Sequence, residues 1–178
     1  VLVVAALPAG AADKGEAKAP GGEALYAAHC AKCHGDQGQG ALGPPLKLPD
    51  FLRVADSAYL TATMRHGRPG RVMPSFRYVL SAQERQRIAA YIQSWQSAPD
   101  FPRPEVGDGD AGRGADLFQE HCARCHGYKG QGGTQGEGGD EVVAPALNNS
   151  GFLAAASDSF IKATLKHGRS GTRMPKAG

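Results

Sequence analysis

The sequence has 178 residues, is 41% hydrophobic and 21% charged, and contains 25 glycines, 12 prolines and only 7% aromatic residues. That size fits one domain or two small ones, and a chain cut into such short segments buries a modest apolar core that a cofactor would complete. A net charge of +3, spread over scattered Lys and Arg, is too weak for nucleic acid and suits docking to an acidic protein surface.

The chain opens on VLVVAALPAGAADKGEAKAPGG, with no initiating methionine. Its apolar run is shorter than the ~20 residues a membrane span needs. It reads as the tail of a secretory signal peptide or the end of a membrane anchor whose start is missing, so export is expected. No cysteine precedes Cys30, which excludes a lipidated cysteine in this segment.

A helix is predicted over GEALYAAHCAKCH, with Leu25 and Tyr26 directed at a later, terminal helix. It carries Cys30, Cys33 and His34 as Cys-x-x-Cys-His. Cysteines at i and i+3 share a helix face. Two thiols placed so can add to the vinyl groups of one haem while the adjacent histidine binds the iron. After Pro44 comes SAYLTATMRHG, a second predicted helix with Met64 as ordinary core and His66 closing the helix before Gly67. The loop GRPGRVMP then presents Met73, a soft neutral thioether suited to the remaining axial position of a haem iron. Ser81 and Glu84 form a capping box for a further helix, whose Ile88, Tyr91, Ile92 and Trp95 make an apolar stripe. SAPDFPRPEVGDGDAG follows as a partly stiff linker.

Beyond the linker the pattern returns. RGADLFQEHCARCHG aligns with GGEALYAAHCAKCHG at an offset of 92, and the block from Pro145 to Pro175 aligns without a gap on that from Pro44 to Pro74 at an offset of 101. The second copy thus holds Cys122, Cys125, His126, Pro145 and Met174, with Leu117 and Phe118 at the positions of Leu25 and Tyr26. The difference of nine residues falls in GYKGQGGTQGEGGDEVVA, which predicts a glycine-rich, locally acidic loop absent from the first copy. His167 matches His66 as a helix-closing residue, a reading favoured over iron ligation by either, and His29 and His121 are expected at the surface or on the propionate side of the haem. A zinc site shared by the two Cys pairs would not need a histidine after each, and a thioredoxin-type pair would need flanking strands, which the sequence does not offer.

Gly-x-x-Leu-aromatic, Cys-x-x-Cys-His-Gly, a proline and a Met-Pro loop resemble the class I c-type cytochromes, here in tandem as in bacterial dihaem cytochromes c. The resemblance implies an all-α fold of two cytochrome c domains at 22–98 and 113–178, separated by the linker at 99–112 and preceded by the leader or anchor remnant and linker at 1–21. It implies two covalently attached c-type haems, with thioethers from Cys30, Cys33, Cys122 and Cys125, with Pro44 and Pro145 in the haem-side loops, and with axial pairs His34/Met73 and His126/Met174. It further implies an oxidising compartment, periplasmic or otherwise outside the cytoplasmic face of a bacterial inner membrane. The expected function is one-electron relay in a respiratory or photosynthetic chain, between a quinol-oxidising complex and a terminal acceptor or oxidase, as a soluble shuttle or a complex subunit.

Lys32, Arg68 and Arg71, with Arg124, Arg169 and Arg173, are expected to form a basic rim that steers redox partners with acidic docking surfaces. The other function classes are a haem enzyme, such as a dihaem peroxidase or a sulfur-compound dehydrogenase subunit, and a purely structural subunit. One departure from the family stands out: nothing after Pro175 corresponds to the helix that follows Ser81. The second domain as given is therefore expected to be incomplete, or to be walled by a neighbouring subunit.

Overall fold

The computed structural model describes residues 19–133 and 144–177. The apolar leader lies outside the described residues, as do residues 134–143 of the glycine-rich acidic loop expected within 127–144. Among those described, every regular element is helical, and the β-pairing is confined to an isolated bridge between Gly133 and Ala144 that closes the base of the second module's longer loop. The helices are α1 (Gly22–His29), α2 (Ala31–His34), α3 (Pro49–Leu52), α4 (Ser57–His66), α5 (Ala82–Gln93), α6 (Ala111–His121), α7 (Ala123–His126), α8 (Ser150–Leu153) and α9 (Asp158–His167). None of them is long and apolar enough to cross a membrane.

Local chemistry explains most boundaries. Asp56 caps α4 by accepting from the Tyr59 N–H, and Ser157 caps α9 through the Phe160 N–H. The box at the start of α5 is formed in both directions, Glu84 N–H to Ser81 Oγ and Ser81 N–H to Glu84 Oε2. Both α4 and α9 end on a glycine in the positive-φ region, Gly67 at 63° and Gly168 at 66°. Where one continuous first helix is predicted, the backbone opens at the first cysteine, with φ −120° at Cys30 and −113° at Cys122. The Cys-His segment consequently forms a separate single turn, α2 or α7.

In the first module α5 closes over α1 and α4. Leu25, Tyr26, Met64, Leu80, Ile88 and Ile92 are all buried, and Tyr26 stands edge-on to Trp95 with ring centroids 5.0 Å apart. The Tyr26 hydroxyl donates to the Gly35 carbonyl at 2.7 Å, and burial pushes its pKa up to about 12. In the second module the matching positions are more open: Leu117 is 45% exposed and Leu165 39%, against 5% for both Leu25 and Met64.

The modules meet through α3, α4, α8 and α9 in a pseudo-two-fold arrangement. Tyr59 stacks on Phe160, its own counterpart in the repeat, at 4.0 Å and 13° between planes. The Arg68 guanidinium lies over Phe152, and that of Arg169 over Phe51, which are reciprocal pairs. Asn149 Nδ2 donates to the Pro69 carbonyl at 2.8 Å, while Asp50 accepts from the Ser170 N–H at 2.8 Å and from its hydroxyl. Gly151 sits so close to Gly67 that a Cβ would fall 2.2 Å from the Gly67 carbonyl oxygen. The linker reinforces the contact: Phe101 is sandwiched between the Arg53 guanidinium, 3.5 Å from its centroid, and the His167 ring, 3.6 Å away and nearly parallel. Burial, followed by the charges of Lys166 and Arg53, holds His167 below its ordinary pKa.

Two predictions follow from this packing. Met64→Ala should cost about 2–5 kcal/mol, the range for deleting a buried side chain of that size, and Leu165→Ala less than half as much, both read by denaturant unfolding of the chain. The bonds from Ser170 hold the Asp50 carboxyl below its ordinary value of 3.8. A depressed carboxylate stabilises the fold above its unfolded pKa and loses that contribution as pH falls through the folded value. Asp50→Asn should therefore lower the thermal midpoint most near neutrality, with the difference from wild type shrinking below pH 3.8.

Candidate haem sites

Each Cys-x-x-Cys-His turn is a small hydrogen-bonded cage. In the first, the Cys33 and His34 N–H groups both donate to the Cys30 carbonyl, and the loop beyond folds back so that the Gly43 N–H donates to the Cys33 carbonyl at 2.7 Å. In the second, Cys125 and His126 donate to the Cys122 carbonyl in the same way. The two Gln side chains that follow, Gln39 and Gln131, accept from backbone N–H groups two residues upstream, Gln37 and Lys129, each at 2.9 Å.

Both histidines are oriented from behind. His34 Nδ1 lies 2.9 Å from the Pro44 carbonyl, and His126 Nδ1 lies 2.9 Å from the Pro145 carbonyl. A carbonyl only accepts, so Nδ1 carries the proton of that bond, and in the neutral imidazole Nε2 keeps its lone pair. This is the arrangement that holds an imidazole as a metal ligand. Pro44 and Pro145 thus act through their main-chain oxygens, a role that their side chains do not reveal. Gly43 makes the approach close, since a Cβ there would come within 3.0 Å of His34 Cε1.

The cysteines are half-buried and unpaired. Burial pushes the Cys30 thiol up to about 11, with neighbouring Cys33 adding to it, and the same causes raise Cys122. Paired thiols beside a histidine whose Nε2 is free fit a covalently attached haem, with the imidazole held ready for its iron.

Met73 and Met174 stand half-buried on matching loops. Each loop is laced at its base: the Arg68 N–H donates to the Met73 carbonyl at 2.9 Å and the Arg169 N–H to the Met174 carbonyl at 3.1 Å. His66 and His167 close their helices beside these loops, and His29 and His121 are exposed. The expected basic rim needs correction at two places. Arg68 and Arg169 turn inward, bonding their own glycine carbonyls (Gly67 and Gly168) and threonine hydroxyls (Thr63 and Thr164), because a planar guanidinium can satisfy those acceptors and still lie on an aromatic face. Lys32, Arg71, Arg124 and Arg173 are at the surface, with Arg71 reaching the Gln131 carbonyl in the other module. Sequence reasoning missed the single-turn helices α3 and α8 and the contact they make. Pro49 in the first turn of α3 and Asn149 capping α8 were the available signals.

Two Cys-x-x-Cys-His turns with carbonyl-locked histidines, each in a module that also bears a Met-Pro loop, define a protein of two c-type cytochrome modules. The chain matches the family described as cytochrome c oxidase, cbb3-type, subunit III, over residues 17–92 and 109–178, and it belongs to that family. Its cofactors are two covalently bound c-type haems. It is 32% identical over 165 residues to the Cbb3-type cytochrome c oxidase subunit FixP of Azorhizobium caulinodans, covering 88% of this chain and 52% of that protein. It is 31% identical over 169 residues to the corresponding subunit CcoP of Azospirillum sp. (strain B510), covering 87% of this chain and 54% of that one. The chain thus spans about half the length of these curated relatives. Among solved structures, a chain of the Kuenenia stuttgartiensis reducing HAO-like protein complex Kustc0457/Kustc0458 shares the fold, with a TM-score of 0.53 at 20% identity over 87% of this chain and 86% of that one.

The loop bases give a test. A Cβ on Gly67 would fall 2.6 Å from Pro74 and Ser75 main-chain atoms, whereas one on Gly70, also at positive φ, meets nothing within 4 Å. Gly70→Ala should cost only the conformational strain, about 1–3 kcal/mol, and Gly67→Ala more, with faster amide exchange in the Met73 loop.

Proposed function

We propose that this chain is the dihaem electron-transfer part of a cbb3-type oxidase, relaying single electrons from a donor towards the oxidase on the extracytoplasmic side of a bacterial membrane. The observation that carries this reading is the repeated lock of His34 and His126 onto proline carbonyls beside Cys-x-x-Cys turns, in a chain of the cbb3 subunit III family. Both of the relatives named above are cbb3-type oxidase subunits. The cytochrome domains are assigned to residues 22–98 and 113–178, with the axial pairs His34/Met73 and His126/Met174 and thioethers at Cys30, Cys33, Cys122 and Cys125.

When bound, each haem supplies a one-electron ferric/ferrous couple. The protein's part would be to offer each haem a histidine and a methionine, His34 with Met73 and His126 with Met174, and to set its environment. A histidine held by a carbonyl is a firm, basic ligand, and a thioether favours the reduced iron and raises the potential. A methionine available to each haem and a use in attachment for every cysteine favour relay over catalysis. The surface cations Lys32, Arg71, Arg124 and Arg173 are assigned to steering an acidic partner.

The test uses the assembled oxidase with both haems attached. Met73→Ala and Met174→Ala should each abolish the sulfur-to-iron charge-transfer band of one oxidised haem and slow electron delivery to oxygen. Retention of both bands would refute the ligand assignment. Reduction by an acidic donor should slow steeply with added salt, and a rate insensitive to salt would refute the steering role.

A further inference from the structure

The two arginines that left the rim occupy equivalent places. Each follows the glycine that ends the long helix of its module, α4 or α9, and each donates its main-chain N–H to the carbonyl of the methionine at the far end of the loop. Each guanidinium ties back to its own module: Arg68 to the Gly67 carbonyl, the Tyr59 hydroxyl and Thr63, and Arg169 to the Gly168 carbonyl and Thr164. And each lies on an aromatic ring of the opposite module, Arg68 at 5.8 Å from the Phe152 centroid and Arg169 at 5.5 Å from that of Phe51. These separations are within cation–π range.

The surroundings give this contact leverage. Arg169 is sufficiently buried for desolvation to lower its pKa, so its guanidinium leans on the ring faces and hydroxyls around it. Phe160, the ring that stacks on Tyr59 across the pseudo-two-fold axis, lies 5.8 Å from Arg169 as well. Near the start of the first loop, Gly67 is in main-chain contact with Gly151, and Pro69 accepts from Asn149. A closely packed interface of this kind transmits displacement.

We propose that Arg68 and Arg169 are positioning residues that make the placement of each methionine depend on the opposite module, Met73 through Phe152 and Met174 through Phe51. A ring in one module thereby tunes the axial ligand, and with it the reduction potential, in the other. The inference rests on the reading of Met73 and Met174 as ligands.

The experiment is proton NMR of the reduced full chain carrying both haems, in which a ligating methionine methyl is displaced by the ring current of its own haem. Loss of one displaced signal in Met73→Ala and of the other in Met174→Ala assigns them. If neither variant removes a signal, the ligand reading fails, and the inference with it. With both assigned, Phe152→Leu should shift the Met73 signal and the potential of the first haem while leaving Met174 in place. Phe51→Leu should do the reverse. Arg68→Gln should move Met73 as Phe152→Leu does, and combining the two should add little, since both cut one contact. Arg68→Lys, which keeps the charge but not the planar fork, should restore the position only in part. The inference is overturned if Phe152→Leu moves Met174 and not Met73, moves both equally, or moves neither. Should that variant fail to fold, the Phe51→Leu arm decides by the same criteria.

Discussion

A protonated Nδ1 bound to a proline carbonyl, made once at His34 and again at His126, is the contact around which each module is arranged. To make it, the chain must leave the Cys-x-x-Cys-His turn, reverse, and bring a main-chain oxygen behind the imidazole. The reversal explains the glycines at positive φ in both loops, Gly38 and Gly40 in the first and Gly130 and Gly132 in the second. It also explains why Gly38 and Gly130 offer their carbonyls to the N–H groups at 46 and 47 and at 147 and 148. In the second module the ends of the longer loop are drawn together at Gly133 and Ala144, so its extra length still delivers the Pro145 carbonyl to His126.

The long helices answer a different demand. Leu25 and Tyr26 fix α1 beneath α5, and the Tyr26 hydroxyl carries that packing to Gly35, the residue after the histidine. A core distant from the candidate site thus limits how far the imidazole can move. In the second module Phe118 replaces Tyr26 and has no hydroxyl to make that bond, and Leu117 and Leu165 are far more exposed than their counterparts. The two attachment turns are therefore tied differently to their first helices, through a tyrosine hydroxyl in one module and not in the other.

Joining the modules through equivalent surfaces has a geometric consequence. In a pseudo-two-fold interface each contact occurs twice with its partners exchanged, so Arg68 with Phe152 is answered by Arg169 with Phe51. Where the sequences differ, the symmetry bends: Asp50 stands at the position of Gly151, and the close main-chain approach on one side becomes a carboxylate-to-Ser170 bond on the other. The linker is part of this interface, with Phe101 wedged between Arg53 and His167.

Much of this was legible from residues alone. The two attachment motifs, the capping box at Ser81 and Glu84 and the glycine stops at Gly67 and Gly168 are short-range patterns whose chemistry is complete within a few positions, and the repeat, at offsets of 92 and then 101, shows each of the paired ones twice. The carbonyl behind each histidine was not legible, because a main-chain oxygen has no residue type and Pro44 announces only a turn. Nor was the inward turn of Arg68 and Arg169. A surface arginine and an interface arginine are spelled alike, and only the fold, by setting Phe152 and Phe51 across the pseudo-two-fold axis, determines which they are.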